Sequence, residues 1–152
     1  MLRLVNTIAA LGLIASFAVA LITLPGLPER IPVHFDFRGN PDRYGSRWMI
    51  LLVPLINTGI YAMLTVFARL DRRWYSFPRA SSERGRQQQV RLIRILLGML
   101  NMEITWIFTA LALEVAVVAH GHEGFGPFLL VAALGIMAIT IVGFVLRVLT
   151  VR

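Results

Sequence analysis

The chain has 152 residues, 57% of them hydrophobic and 15% charged, with mean hydropathy +0.73 and net charge +7. An apolar share well above the roughly 45–50% of soluble domains excludes an ordinary water-soluble fold. The absence of cysteine excludes disulfide staples, thiolate metal sites and a thiol nucleophile.

Apolar runs occupy residues 4–24, 48–68, 92–119 and 128–149. Each approaches or exceeds the roughly 20 helical residues that cross a bilayer core. Backbone polar groups in lipid must be satisfied within helices or a closed barrel, and continuous runs select helices. The expectation is an all-α, integral membrane four-helix bundle with an ordered extracytoplasmic loop between helices 1 and 2. It forms a single domain over 1–152, with helices at about 4–24, 47–70, 88–119 and 127–150, an outer loop at 25–46 and a cytoplasmic loop at 71–87. Arg3, an apolar stretch and Ala18-Val19-Ala20 imitate a secretory signal. The run continues through Leu24 without a polar segment, so an uncleaved first helix is expected.

Residues 25–47 differ in kind, with four prolines and three glycines. Proline fixes φ and lowers the entropy of ordering a loop. Residues 31–37 read as extended, Gly39-Asn40-Pro41-Asp42 has turn chemistry, and Ser46 suits an N-cap. Such punctuation predicts an ordered lid. Its aromatic and charged side chains, His34, Phe35, Asp36, Asp42, Arg43 and Tyr44, are the candidate ligand-binding set.

Over residues 24–71 the chain resembles a known family, the membrane domain of unknown function that forms the N-terminal part of SdpI-type immunity proteins. The matching residues are Leu27, Pro28, Ile31, Pro32, His34, Phe35, Gly39, Asp42, Tyr44 and Gly45, followed by the proline-bearing start of the second helix at Leu52-Val53-Pro54-Leu55-Ile56-Asn57. The resemblance implies a polytopic protein of a bacterial plasma membrane. The best understood relatives protect a cell from a sibling's toxic peptide and hold a repressor at the membrane. Those are longer and carry a second membrane domain.

In the second helix, Pro54 is expected to kink the backbone and Asn57 to face the bundle interior. The polar middle loop is a solvated hairpin or a docking surface for a cytoplasmic partner. In the third helix, Glu103 falls near mid-bilayer depth and Glu114 three turns further on the same face. Carboxylates there cost several kcal/mol unless protonated, paired or hydrated, so both should face inward. Asn57, Asn101 and Glu103 form the expected interior cluster. Gly98, Gly135 and Gly143 suit close helix approach but lack small-xxx-small spacing. His120, His122 and Glu123 in the second outer loop, with His34, are weak metal candidates, and a solvated loop is the simpler reading. No metal and no cofactor is expected.

Arginine sets the orientation, because basic residues near helix ends favour the cytoplasm. Eleven of the 15 basic residues, all arginine, fall on the side of the termini and middle loop, against four in the first outer loop. Both termini should therefore be cytoplasmic. Arginines flanking apolar runs meet lipid headgroups rather than nucleic acid. No phosphate-binding glycine loop, zinc-protease helix or nucleophile elbow occurs, so an enzyme is not expected. The favoured function is recognition of a peptide or lipidic ligand at the outer face. The alternatives are a small oligomeric transporter or transporter subunit using Glu103, since four helices are few for a transport path and a homo-oligomer could supply more, and a metal-binding membrane protein using the outer histidines.

Overall fold

The computed structural model describes residues 2–70 and 83–150. Residues 71–82, with Arg72, Arg73, Trp74 and Tyr75 of the predicted cytoplasmic loop, lie outside the described residues. Helices α1 (Leu2–Thr23), α2 (Leu52–Arg69), α3 (Glu83–Ala119) and α4 (Gly126–Thr150) form an all-α bundle. Strands β1 (Arg30–Phe35) and β2 (Pro41–Ser46) make an antiparallel hairpin between α1 and α2, inside the segment read from sequence as a loop. The four helical stretches are each long and apolar enough to cross a membrane, and the chain is a multi-pass membrane protein.

Helix α3 is the centre, in contact with each of the other three. Among the described residues it starts at Glu83, ahead of residue 88, and there Glu83 accepts a hydrogen bond from Gln87 one turn on (3.4 Å) and pairs with Arg86 (3.5 Å). At 37 residues it is about 55 Å long and outruns a hydrocarbon core of roughly 30 Å.

Lipid tails are as apolar as leucine, so helices associate there through close packing and hydrogen bonds rather than hydrophobic burial. The α1–α3 seam follows that rule. The buried face of α1 is Ala9, Gly12, Ser16 and Ala20. A Cβ on Gly12 would stand 2.7 Å from Thr105 Oγ1, so only glycine admits α3 this closely. Two α3 side chains then reach the α1 backbone: Thr109 donates to Gly12 O (2.8 Å) and Trp106 to Ile8 O (3.2 Å). Gly98 also meets α1, beside Asn6 and Leu2, whereas Gly135 and Gly143 face open space.

Helix α2 opens with a 3-10 turn, Arg47–Leu51, and Ser46 makes no side-chain cap to it. Pro54 falls in the first α-helical turn, where its missing N–H leaves no bond unmade. It therefore marks the change from 3-10 to α winding instead of kinking mid-helix. No residue of α4 is buried in its membrane-spanning window; one face meets α3 and the rest of its surface is open.

A buried apolar cluster lies at the hairpin end. Ala20, Leu27, Ile31, Ile50, Val115 and Ala116 form it, flanked by Leu24, Val33, Phe35, Leu51 and Ala119. Ile31, 1% exposed, is among the largest side chains in it. Truncating it leaves a cavity, and Ile31→Ala should cost about 2–5 kcal/mol. Thermal unfolding in detergent checks this: the melting temperature should drop for Ile31→Ala and hold for Leu130→Ala, on the open surface of α4.

Candidate functional site

The hairpin pairs Arg30 with Ser46, Ile31 with Gly45, Pro32 with Tyr44, His34 with Arg43 and Phe35 with Pro41, with irregularities on either side of His34. Gly45 is required by space, since its Cβ would meet Met49 Sδ at 2.5 Å and a Val33 methyl at 2.9 Å. The base is tied down by Arg47 N–H donating to Glu29 O (3.0 Å) and by the Arg47 guanidinium on Leu27 O (3.4 Å).

The candidate ligand-binding side chains divide into three groups. His34, Asp42, Arg43 and Tyr44 are exposed, and His34 Nδ1 lies 2.6 Å from Asp42 Oδ1. That contact fixes the imidazole and leaves Nε2 as its outward atom. Phe35 turns the other way and packs against the buried cluster. Asp36 is occupied by the turn: its carboxylate accepts N–H bonds from Arg38 and Asn40 (2.8 Å each) and the Asn40 side-chain amide (3.3 Å). These bonds, the Asn40 backbone N–H foremost, hold the Asp36 carboxyl below its ordinary value of 3.8. Gly39, at φ +83°, closes the turn.

The turn rests on the far side of the bundle. A Cβ on Gly39 would fall 2.9 Å from both Gly126 Cα and Pro127 Cδ, so the tip sits against the start of α4. The same residues are held from below by Glu114, whose carboxylate accepts the N–H groups of Phe125 (2.7 Å) and Gly126 (3.1 Å). These are amides a helix N-terminus leaves free, and the macrodipole favours a carboxylate there. Gly124 fits because a Cβ would strike the Glu114 carboxylate.

The intramembrane polar residues separate. Asn57, wholly buried, donates to Ser16 Oγ (3.1 Å) and Thr105 O (3.5 Å), joining α1, α2 and α3. Asn101 donates to Thr65 Oγ1 (3.2 Å) and Tyr61 O (3.4 Å) on α2. Glu103 leaves this group: it points to α4, where Thr140 donates to its Oε1 (2.5 Å), and its Oε2 is buried and accepts no hydrogen bond among the described residues. The expected cluster of Asn57, Asn101 and Glu103 is thus two asparagine contacts along α2–α3 and one carboxyl on the α3–α4 seam. Glu103 reaches Thr140 on α4, and Glu114 reaches the amides at the start of α4.

The histidines lie apart in role. His120 Nδ1 donates to Ala116 O (2.7 Å), one turn back along α3, and its Nε2 lies near Gly26. His122 and Glu123 are exposed in the α3–α4 turn. Among the described residues no three His, Asp or Glu side chains come together around a position for a metal ion. Two features escaped the sequence reading. One is Phe37, fully exposed at the hairpin tip. The other is the glycine turn around Gly124, whose cue was Gly124-Phe125-Gly126-Pro127, a proline entering a helix after small residues.

A domain of unknown function, DUF1648, matches residues 11–58, which take in the second half of α1, the hairpin and the opening of α2. That family is sometimes associated with SdpI-type proteins. An uncharacterized protein of Archaeoglobus fulgidus is 38% identical over 50 residues, covering 33% of this chain and 27% of its own length. No solved structure matches. The family match centres on the hairpin and the helix ends that hold it.

Two outcomes are expected from this geometry. Gly124→Ala should lower the melting temperature in detergent, because its methyl displaces the carboxylate that caps α4, while Gly135→Ala, facing open space, should not. Asp36 has a depressed folded-state pKa, so its contribution is present above the ordinary carboxylate value of 3.8 and is lost as pH falls through the lower folded value. The Asn40 amide resonance should therefore hold steady at neutral pH and shift in acid, and Asp36→Asn should abolish that titration.

Proposed function

We propose that this is a non-enzymatic membrane protein that recognises a peptide or lipidic ligand with the exposed face of its hairpin, in an SdpI-like immunity or signalling role. The hairpin lies on the extracytoplasmic side of a prokaryotic plasma membrane and both termini lie in the cytoplasm, on the strength of the arginine distribution. The observation that carries the reading is the division of labour across the hairpin. Leu27, Ile31 and Phe35 hold it onto the bundle, while His34, Asp42, Arg43 and Tyr44 stand outward on that fixed base. Side chains held on a rigid base lose little entropy when a ligand arrives, which favours binding. Fixing the His34 ring against Asp42 is part of the same economy of motion.

The test is protection. A susceptible bacterium expressing the chain, challenged with a sibling's secreted amphipathic toxin, should survive at higher toxin doses than one without it. His34→Ala and Tyr44→Ala should remove protection while the protein accumulates normally. Protection that persists in both variants, or that never occurs, overturns the reading.

A further inference from the structure

We infer that the hairpin tip and the start of α4 form one membrane-inserting patch, with Phe37 seated among the lipid headgroups and upper acyl chains beside α4. The inference is independent of any ligand for the hairpin strands.

Three observations point to lipid as the occupant. Phe37 is fully exposed, so it contributes nothing to packing within the chain. Its turn sits against Gly126 and Pro127 at the start of α4, and the chain neighbours of those two residues, Phe125 and Phe128, are 53% and 80% exposed. From Phe128 the exposed apolar surface runs on along α4, where Leu130, Val131 and Leu134 are exposed and no residue of the spanning window is buried. The lipid-facing surface therefore extends past the helix end onto the hairpin.

The depth agrees. Helix α4 has 25 residues, about 37 Å at 1.5 Å per residue, against a hydrocarbon core of roughly 30 Å. One or both of its ends therefore reach the headgroup layer, where aromatic rings concentrate, and Phe128 stands in its first turn. The charge agrees as well. Arg38, next to Phe37, is exposed and makes no ion pair among the described residues, and the nearby carboxylates Asp36 and Asp42 are taken by the turn and by His34. A guanidinium beside an inserted ring is suited to lipid phosphate.

The chain has no cysteine, so single cysteines report single positions. Phe37→Cys, Phe128→Cys and Arg43→Cys are each labelled with a small bimane fluorophore in vesicles of phosphatidylethanolamine and phosphatidylglycerol. At 37 and 128, a nitroxide carried high on the acyl chains should quench strongly and aqueous iodide weakly. At 43, iodide should dominate. A second measurement keeps Phe37 itself: the thiol of Arg38→Cys should react with a water-soluble maleimide about tenfold faster once Phe37→Ser is added, because the thiolate that reacts forms in water. Position 37 as open to iodide as position 43 overturns the inference. Shielding from both quenchers also overturns it, since protein rather than lipid would then cover the tip. An unchanged maleimide rate on adding Phe37→Ser counts against it in the same way.

Discussion

The close approach of α1 to α3 is the constraint on which this bundle depends. In lipid, two apolar helices gain little by meeting unless their backbones come near enough for polar groups to bond across the gap. Gly12 permits that approach, and Thr109 and Trp106 exploit it by donating to α1 carbonyls. Ser16 then stands where Asn57 can reach it, and Asn57 in turn touches the Thr105 carbonyl, so α2 is registered against a pair already locked. Individual bonds of this kind average only about 0.6 kcal/mol in membranes, so the seam acts through number and geometry.

A different physics governs the hairpin end. There the chain leaves hydrocarbon, and burial of Leu27, Ile31 and Ile50 is driven by water as in a soluble core. The two regimes meet in the turn between α3 and α4. Glu114 rises from α3 to satisfy the first amides of α4, and Gly39 lowers the hairpin tip onto the same residues. Helix α4 contributes no buried residue to the bundle core; it packs against α3, with this clamp at its start and the Thr140–Glu103 hydrogen bond within that seam.

The membrane spans were legible because length and continuous hydrophobicity carry that signal alone. So was the distinct character of residues 25–47, from its prolines and glycines. Which faces meet was not legible, because helices apolar all round carry little amphipathic signal. The partner of Asn57 is a serine on α1, a residue type common enough to pass unnoticed. The Gly12-Ser16-Ala20 spacing is small-xxx-small, whereas of Gly98, Gly135 and Gly143 only Gly98 meets another helix. Spacing from Glu103 places Glu114 on the same helix face. Its role depends on a glycine turn that brings amides 11 and 12 residues ahead back to its carboxylate, a tertiary fact that helical periodicity does not contain. Ser46 has the chemistry of a cap, but the 3-10 winding that follows it does not use one.

The hairpin also sets a gauge. Six-residue strands extend about 20 Å, close to two interaxial spacings of roughly 8–10 Å each. Starting from the exit of the first helix and crossing over the third, such a ribbon comes to rest on the entry to the fourth. It is a tie bar cut to the width of the bundle. An insertion in either strand would not be absorbed as slack, as it would in an ordinary surface loop, but would shear the first and last helices relative to each other.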